Sequence, residues 1–180
     1  MALRTPNIYL IGPMGSGKST IGKRTAKLLD LEFIDCDVEL ESRTGASINL
    51  IFDVEGEEGF REREGELIAE LSRRHGCLVA TGGGSVLKEE NRQVLKRSGV
   101  VVWLQTSVAQ QLKRLRLDKK RPLLQTNDRE ARLAAIARER DPIYQEMADI
   151  VFPSQNRSIP LAAKRLSKAI LSYLDSAAPR

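Results

Sequence analysis

Gly12-Pro13-Met14-Gly15-Ser16-Gly17-Lys18-Ser19-Thr20 matches the pattern G-x-x-x-x-G-K-[ST] at every fixed position. Before it runs the apolar stretch Ile8 to Ile11, and from within it starts a helical pattern, Lys18 to Leu29. Strand, loop and helix in that order form the setting the pattern requires. Successive backbone N–H groups must converge on a phosphate, and glycine at 12, 15 and 17 permits both the dihedrals and the close approach. The helix start adds a partial positive charge. Gly15, Ser16, Gly17, Lys18, Ser19 and Thr20 are therefore expected to cradle the phosphates of a nucleotide. In that cradle Lys18 reaches the β- and γ-phosphates and the Ser19 hydroxyl is a ligand of Mg²⁺. A glycine-rich turn ahead of a helix is the plain structural alternative.

Outward from this loop the chain alternates. Strand-like runs at Glu32 to Asp35, Cys77 to Ala80, Val100 to Leu104 and Ile150 to Phe152 follow the first. Helical patterns separate them: Glu57 to Arg74, Glu89 to Arg97, Val108 to Arg116, Arg129 to Met147 and Leu161 to Leu174. Strands apolar on both faces, alternating with helices, imply an α/β fold with a parallel sheet covered on both sides. Ligands then sit beyond the carboxyl ends of the strands, so functional residues should follow strands. With no repeat and no Pro/Ser-rich linker, residues 1–180 read as one domain. Asp118 to Asp128 is polar and interrupted by Pro122, which marks it as a mobile loop.

Composition narrows the function classes. The 180 residues are 41% hydrophobic and 29% charged, so a substantial core is available. Apolar runs such as Val100 to Leu104 fall far short of the roughly 20 residues of a membrane helix. No signal-peptide core follows the N-terminus, and a cytoplasmic protein without membrane contact is expected. Cys36 and Cys77 lack metal-ligand spacing and are expected as free thiols. The net charge of +5 and pI near 9.4 suit an anionic partner. Aromatic residues, at 4%, are scattered away from the basic ones, which argues against nucleic acid and for a small phosphorylated or carboxylated ligand.

Five further segments carry a resemblance. They are Asp35-Cys36-Asp37, Phe60-Arg61-Glu62-Arg63-Glu64, Thr81-Gly82-Gly83-Gly84, Arg121-Pro122-Leu123-Leu124 and Arg138-Glu139-Arg140-Asp141-Pro142-Ile143-Tyr144. In this order, and together with the phosphate loop, they resemble the shikimate kinase family over nearly the whole chain. That resemblance implies a three-layer P-loop kinase fold, with a five-stranded parallel sheet flanked by helices. A substrate-binding segment near 37–65 and a mobile lid near 118–128 go with it. It also implies transfer of the γ-phosphoryl group of ATP to the 3-hydroxyl of shikimate, with Mg²⁺, in a monomer.

By the same resemblance Arg61 and Arg140 bind the substrate carboxylate, a role guanidinium planes suit. Asp37 holds the ring hydroxyls and can take a proton from the attacking one. Asp35 organises Mg²⁺, and Gly82, Gly83 and Gly84 face the substrate and the transferring phosphate. Arg121 closes the lid onto the phosphates, Arg114 stacks on adenine and Arg157 adds a nucleotide contact. Each has a structural alternative: Asp35 as a helix N-cap, the arginines as solvated helix faces, the glycines as a tight turn. Glu64 is a candidate to steer Arg61 through a helix-local ion pair. His75 is expected in the last turn of a helix, and Cys36 and Trp103 in the core. A gluconate-type or nucleoside monophosphate kinase on the same scaffold, and a nucleotide-binding module without catalysis, are the rival readings.

Overall fold

Strand β1 (Asn7–Ile11) is buried at all its positions, and its alternate residues feed two different cores. The computed structural model describes residues 5–116, 124, 126–154 and 158–177. After β1 come α1 (Lys18–Leu28), β2 (Glu32–Asp35), α2 (Cys36–Thr44), α3 (Ile48–Leu71), β3 (Cys77–Ala80) and a short 3₁₀ turn (Ser85–Leu87). Then follow α4 (Glu89–Ser98), β4 (Gly99–Gln105), α5 (Val108–Leu115), α6 (Arg129–Met147), β5 (Ile150–Pro153) and α7 (Ile159–Ala177). The strands form one five-stranded sheet in the order β2-β3-β1-β4-β5, every neighbouring pair parallel.

Side chains two apart along a strand share a face. Ile8, Leu10, Leu78, Val100, Val102 and Leu104 pack with Ile21, Ala26, Ala163, Leu166 and Ile170 under α1 and α7. Tyr9, Ile11, Val79, Val101 and Trp103 face the other way, onto Leu67 and Leu71 of α3, Leu95 of α4 and Tyr144 and Met147 of α6. Three layers result, as expected. From β1 the chain crosses to the edge strand β2, returns to β3, and then places β4 on the far side of β1. The connections after β1 and after β3 run to opposite sides of β1, which opens a crevice above its carboxyl end. The segments after β1, β2 and β3 all enter that crevice.

The structure departs from the expected helices at α3. The helix starts at Ile48, with Ser47 capping the Leu50 N–H, and not at Glu57. A left-handed Gly56 (φ 73°) breaks the helical path inside it, so the segment has two helical pieces and no single continuous periodicity. Its end also comes earlier, at Leu71. Arg73 and Arg74 donate three residues back, to the carbonyls of Glu70 and Leu71, which winds the chain into a tighter turn. His75 therefore lies beyond the helix and not in its last turn. Both cysteines are free and buried, and Trp103 is in the core. Among the described residues no helix is long and apolar enough to cross a membrane.

Candidate functional site

The loop between β1 and α1 has left-handed φ values of 136°, 75° and 97° at Gly12, Gly15 and Gly17. Lys18 Nζ donates to the carbonyls of Gly12 (2.7 Å) and Pro13 (2.9 Å), so its ammonium bridges the mouth of its own loop. The Ser19 hydroxyl donates to one carboxylate oxygen of Asp35 at the end of β2. Asp35's other oxygen accepts from the N–H groups of Asp37 (3.1 Å) and Val38 (3.4 Å) and caps α2. The two readings of Asp35 are therefore not exclusive: it is the N-cap, and it also meets the serine of the phosphate loop. Asp37, in the first turn of α2, lines the same crevice.

Across the crevice stand two arginines that a helical wheel would assign to solvent. Arg61 is 7% exposed and Arg140 4%, which excludes the solvated-face reading for both. Arg61 Nη1 donates to Glu64 (2.7 Å) one turn on, and Nη2 donates to Glu57 (3.3 Å). Its guanidinium carbon lies 5.1 Å from the centre of the Phe60 ring. Glu64 is fully buried. Burial pushes its carboxyl pKa up from the ordinary value, against the opposing pull of the Arg61 charge. Three polar atoms in this group have no hydrogen-bond partner among the described residues: Arg61 Nε, Glu64 Oε1 and Arg140 Nε. Arg140 Nε sits only at a long 4.0 Å from Glu139. Buried donors and acceptors left open carry a free-energy cost, so such an arrangement is expected to be completed by something polar.

The turn after β3 fits against these side chains because it has none of its own. A Cβ on Gly82 would stand 2.2 Å from Glu64 Oε1, and one on Gly84 would stand 2.2 Å from Arg61 Nη2. One cavity of about 1080 Å³ is lined by the phosphate loop at one end and by Asp37, Gly82, Arg61 and Arg140 at the other. Its size suits a nucleotide and a second small molecule together.

At the nucleotide end, Arg114 Nη1 donates to the Gly15 carbonyl (2.8 Å) and to Ser154 Oγ (3.1 Å). Its Nη2 donates to the Ser154 carbonyl (3.1 Å), and the Ser154 hydroxyl donates in turn to the Ser16 carbonyl (2.7 Å). Arg114 thus lines the cavity and fastens the outside of the phosphate loop to the segment after β5. Ser154 carries no motif, and only its place after a strand hinted at it. Tyr144 ends the last of the quoted segments without a role implied by the resemblance, and its hydroxyl donates to the Gly83 carbonyl. Ser16, Gly17, Ser19 and Thr20 lie in the expected loop and first helical turn. Arg121 and Arg157, with most of the expected lid, lie outside the described residues.

Residues 14–173 match the family model described as shikimate kinase. The chain is 53% identical over 168 residues to the shikimate kinase of Halorhodospira halophila, covering 93% of this chain and 95% of that protein. It is 51% identical over 164 residues to the enzyme of Actinobacillus pleuropneumoniae serotype 5b, covering 91% and 95%. Among solved structures, shikimate kinase from Acinetobacter baumannii in complex with shikimate superposes with a TM-score of 0.91. That pair is 45% identical, with 93% of this chain and 94% of that one covered. A gluconokinase from Sinorhizobium meliloti 1021 covers 94% and 98%, at a TM-score of 0.56 and 19% identity, a likeness of fold alone. A phosphate loop facing two buried arginines, on this sheet order and with relatives at this level of identity, leaves one conclusion: the chain belongs to the shikimate kinase family.

Proposed function

We propose that this protein transfers the γ-phosphoryl group of ATP to the 3-hydroxyl of shikimate, giving shikimate 3-phosphate and ADP. One observation carries the reading: a single cavity has a phosphate loop at one end and two buried, incompletely paired arginines at the other. A carboxylate supplies the acceptors that Arg61 and Arg140 lack, and bidentate pairing sets the ring's orientation. Asp37, in the lining of the same cavity, holds the ring hydroxyls and orients or deprotonates the attacking one. The acceptor oxygen forms a bond to the γ-phosphorus while the bond from that phosphorus to the β–γ bridging oxygen breaks. The hydroxyl proton passes to Asp37 or to solvent. Lys18 moves from its own loop's carbonyls to the phosphates and stabilises the charge that develops there.

The convergence of the Ser19 hydroxyl with an Asp35 carboxylate oxygen fits a hard cation such as Mg²⁺, which prefers oxygen donors. Among the described residues no cluster of three or more His, Cys, Asp or Glu forms a dedicated metal cage, which suits an ion held largely through phosphate and water. Bound there, Mg²⁺ supplies charge neutralisation at the β- and γ-phosphates. Arg121 as the lid cation, Arg157 as a nucleotide contact, Gly82 to Gly84 as substrate-facing donors and Arg114 against adenine belong to the same proposal. So do a single domain, a monomer and a cytoplasmic location.

A coupled ADP-release assay across an acceptor panel tests this function. Turnover with shikimate that exceeds turnover with gluconate and nucleoside monophosphates by orders of magnitude is expected, with the product phosphorylated at the 3-oxygen by NMR. Equal turnover with another acceptor, or none with any, would overturn it.

A further inference from the structure

Tyr144 is completely buried, and nothing in the transfer outlined above uses it. Its ring centre lies 5.8 Å from that of Trp103, against the sheet, and its hydroxyl donates to the Gly83 carbonyl. It stands four residues after Arg140 on α6, so the two side chains share a helix face. Burial raises the pKa of the hydroxyl well above the ordinary tyrosine value, while the charge of Arg140 and a hydrogen bond with its side chain pull it down. The group stays a donor across the neutral range.

Each carbonyl of the glycine turn is held by a different partner. Gly82's accepts from the N–H and the hydroxyl of Ser85, and Gly84's accepts from the N–H of Leu87, both within the local 3₁₀ turn. Among the described residues Gly83's accepts only from Tyr144, a residue 61 positions away. A trans peptide is planar, so the Gly83 carbonyl and the Gly84 N–H point in opposite directions. Holding the carbonyl at α6 therefore turns that N–H away from α6. Among the described residues none of the N–H groups of Gly82, Gly83 and Gly84 has a protein acceptor, and all three glycines line the cavity. The turn also abuts the phosphate loop: a Cβ on Gly83 would lie 3.4 Å from the Gly12 carbonyl and 3.6 Å from the Met14 N.

We propose that Tyr144 is a positioning residue for phosphoryl transfer: its hydroxyl fixes the Gly83–Gly84 peptide so that the turn presents its N–H to the gap where the acceptor oxygen meets the γ-phosphate. The proposal rests on the shikimate-phosphorylation reading. An N–H aimed in advance at developing charge acts on the transition state more than on bound substrate. Loss of the hydroxyl should therefore fall on kcat.

The test is steady-state kinetics on Tyr144→Phe, which keeps the ring and its packing. Expected is a fall in kcat of roughly 10- to 100-fold at saturating ATP and shikimate, the range seen for loss of a hydrogen bond that orients a transition-state donor. KM for ATP should stay within about threefold of wild type, and any rise in KM for shikimate, transmitted through the neighbouring Arg140, should be smaller than the fall in kcat. Met147→Ala, which loosens the same helix without touching the turn, should lower Tm and leave kcat within about twofold. Placing 4-aminophenylalanine at 144 retains a donor and should restore kcat to within about threefold, which also covers a Tyr144→Phe protein that does not hold its fold. Wild-type kcat in folded Tyr144→Phe, or lost kcat with the amino donor in place, overturns the proposal. Absence of shikimate turnover in the wild-type protein would instead overturn the functional reading beneath it.

Discussion

Gly84→Ala adds a single carbon to a backbone that accepts it, since Gly84 has φ −97° and ψ 1°, which any residue adopts. Its effect must come from what that carbon meets. The new Cβ would stand 2.2 Å from Arg61 Nη2, 2.6 Å from Cζ and 2.9 Å from Nη1, so the guanidinium has to move. Arg61 is nearly buried and tied to a fully buried Glu64, and movement therefore strains or breaks that pair. Disturbing one partner of a buried charge pair costs about 2 to 5 kcal/mol, and a flexible arginine that can lean aside belongs at the low end. We expect kcat/KM for shikimate to fall by about 30-fold or more, carried mainly by KM, with KM for ATP nearly unchanged. Overpacking should lower stability by about 1 to 3 kcal/mol, visible as a lower Tm. Kinetics with each substrate varied in turn, on Gly84→Ala, Arg61→Ala and the double variant, decide it. Once Arg61 is truncated the Cβ has room, so the double variant should be little worse than Arg61→Ala alone. A wild-type KM for shikimate in Gly84→Ala, or strict additivity in the double variant, refutes the reasoning.

Lys18→Met should lower turnover by orders of magnitude with the fold retained, because the hydrogen bonds described for the lysine go to its own loop and its charge acts on phosphates; kinetics and thermal unfolding check both parts. Asp37→Asn should lower kcat at saturating shikimate, whereas Arg140→Ala should act chiefly on KM for shikimate, by about 2 to 5 kcal/mol in kcat/KM; steady-state kinetics separates the two patterns. Glu64 has a pKa raised by burial, so the folded state holds its proton more tightly than the unfolded chain does. Its contribution to stability is then full below the unfolded value of about 4.3 and is lost as pH rises through the folded pKa. Between those limits the Tm of wild type should drop relative to Glu64→Gln as pH rises, measured by scanning calorimetry; a gap that widens in wild type's favour would contradict it.

The phosphate loop and the layered fold were legible because both are local signals. The loop is nine consecutive residues between a strand and a helix, and the sheet announces itself through short runs apolar on both faces. The expected span of α6, Arg129–Met147, coincides with the observed one: Asp128 caps its start by accepting from the Ala131 N–H, and its buried positions Leu133, Ile136, Arg140, Tyr144 and Met147 recur three and four residues apart. The start of α3 was missed because a left-handed Gly56 breaks the periodicity that would have shown it. Which charged residues turn inward was not legible from periodicity; only the resemblance singled out Arg61 and Arg140, with Glu64 as a partner for Arg61, all of them buried in the fold. Arg61 and Glu64 sit among Glu57, Glu58, Glu62 and Arg63, and one helical turn of alternating charge reads the same whether it faces water or a cavity. What distinguishes them is the crossover that brings α3 beneath the glycine turn after β3, so that Gly82 and Gly84 have no Cβ where Glu64 and Arg61 need space. Tyr144 and Gly83 meet by the same means, 61 residues apart in sequence and a hydrogen bond apart in the fold. Periodicity records the environment of a residue relative to its own helix or strand, while burial of a charge depends on the element packed across from it, and only the tertiary structure brings that element into place.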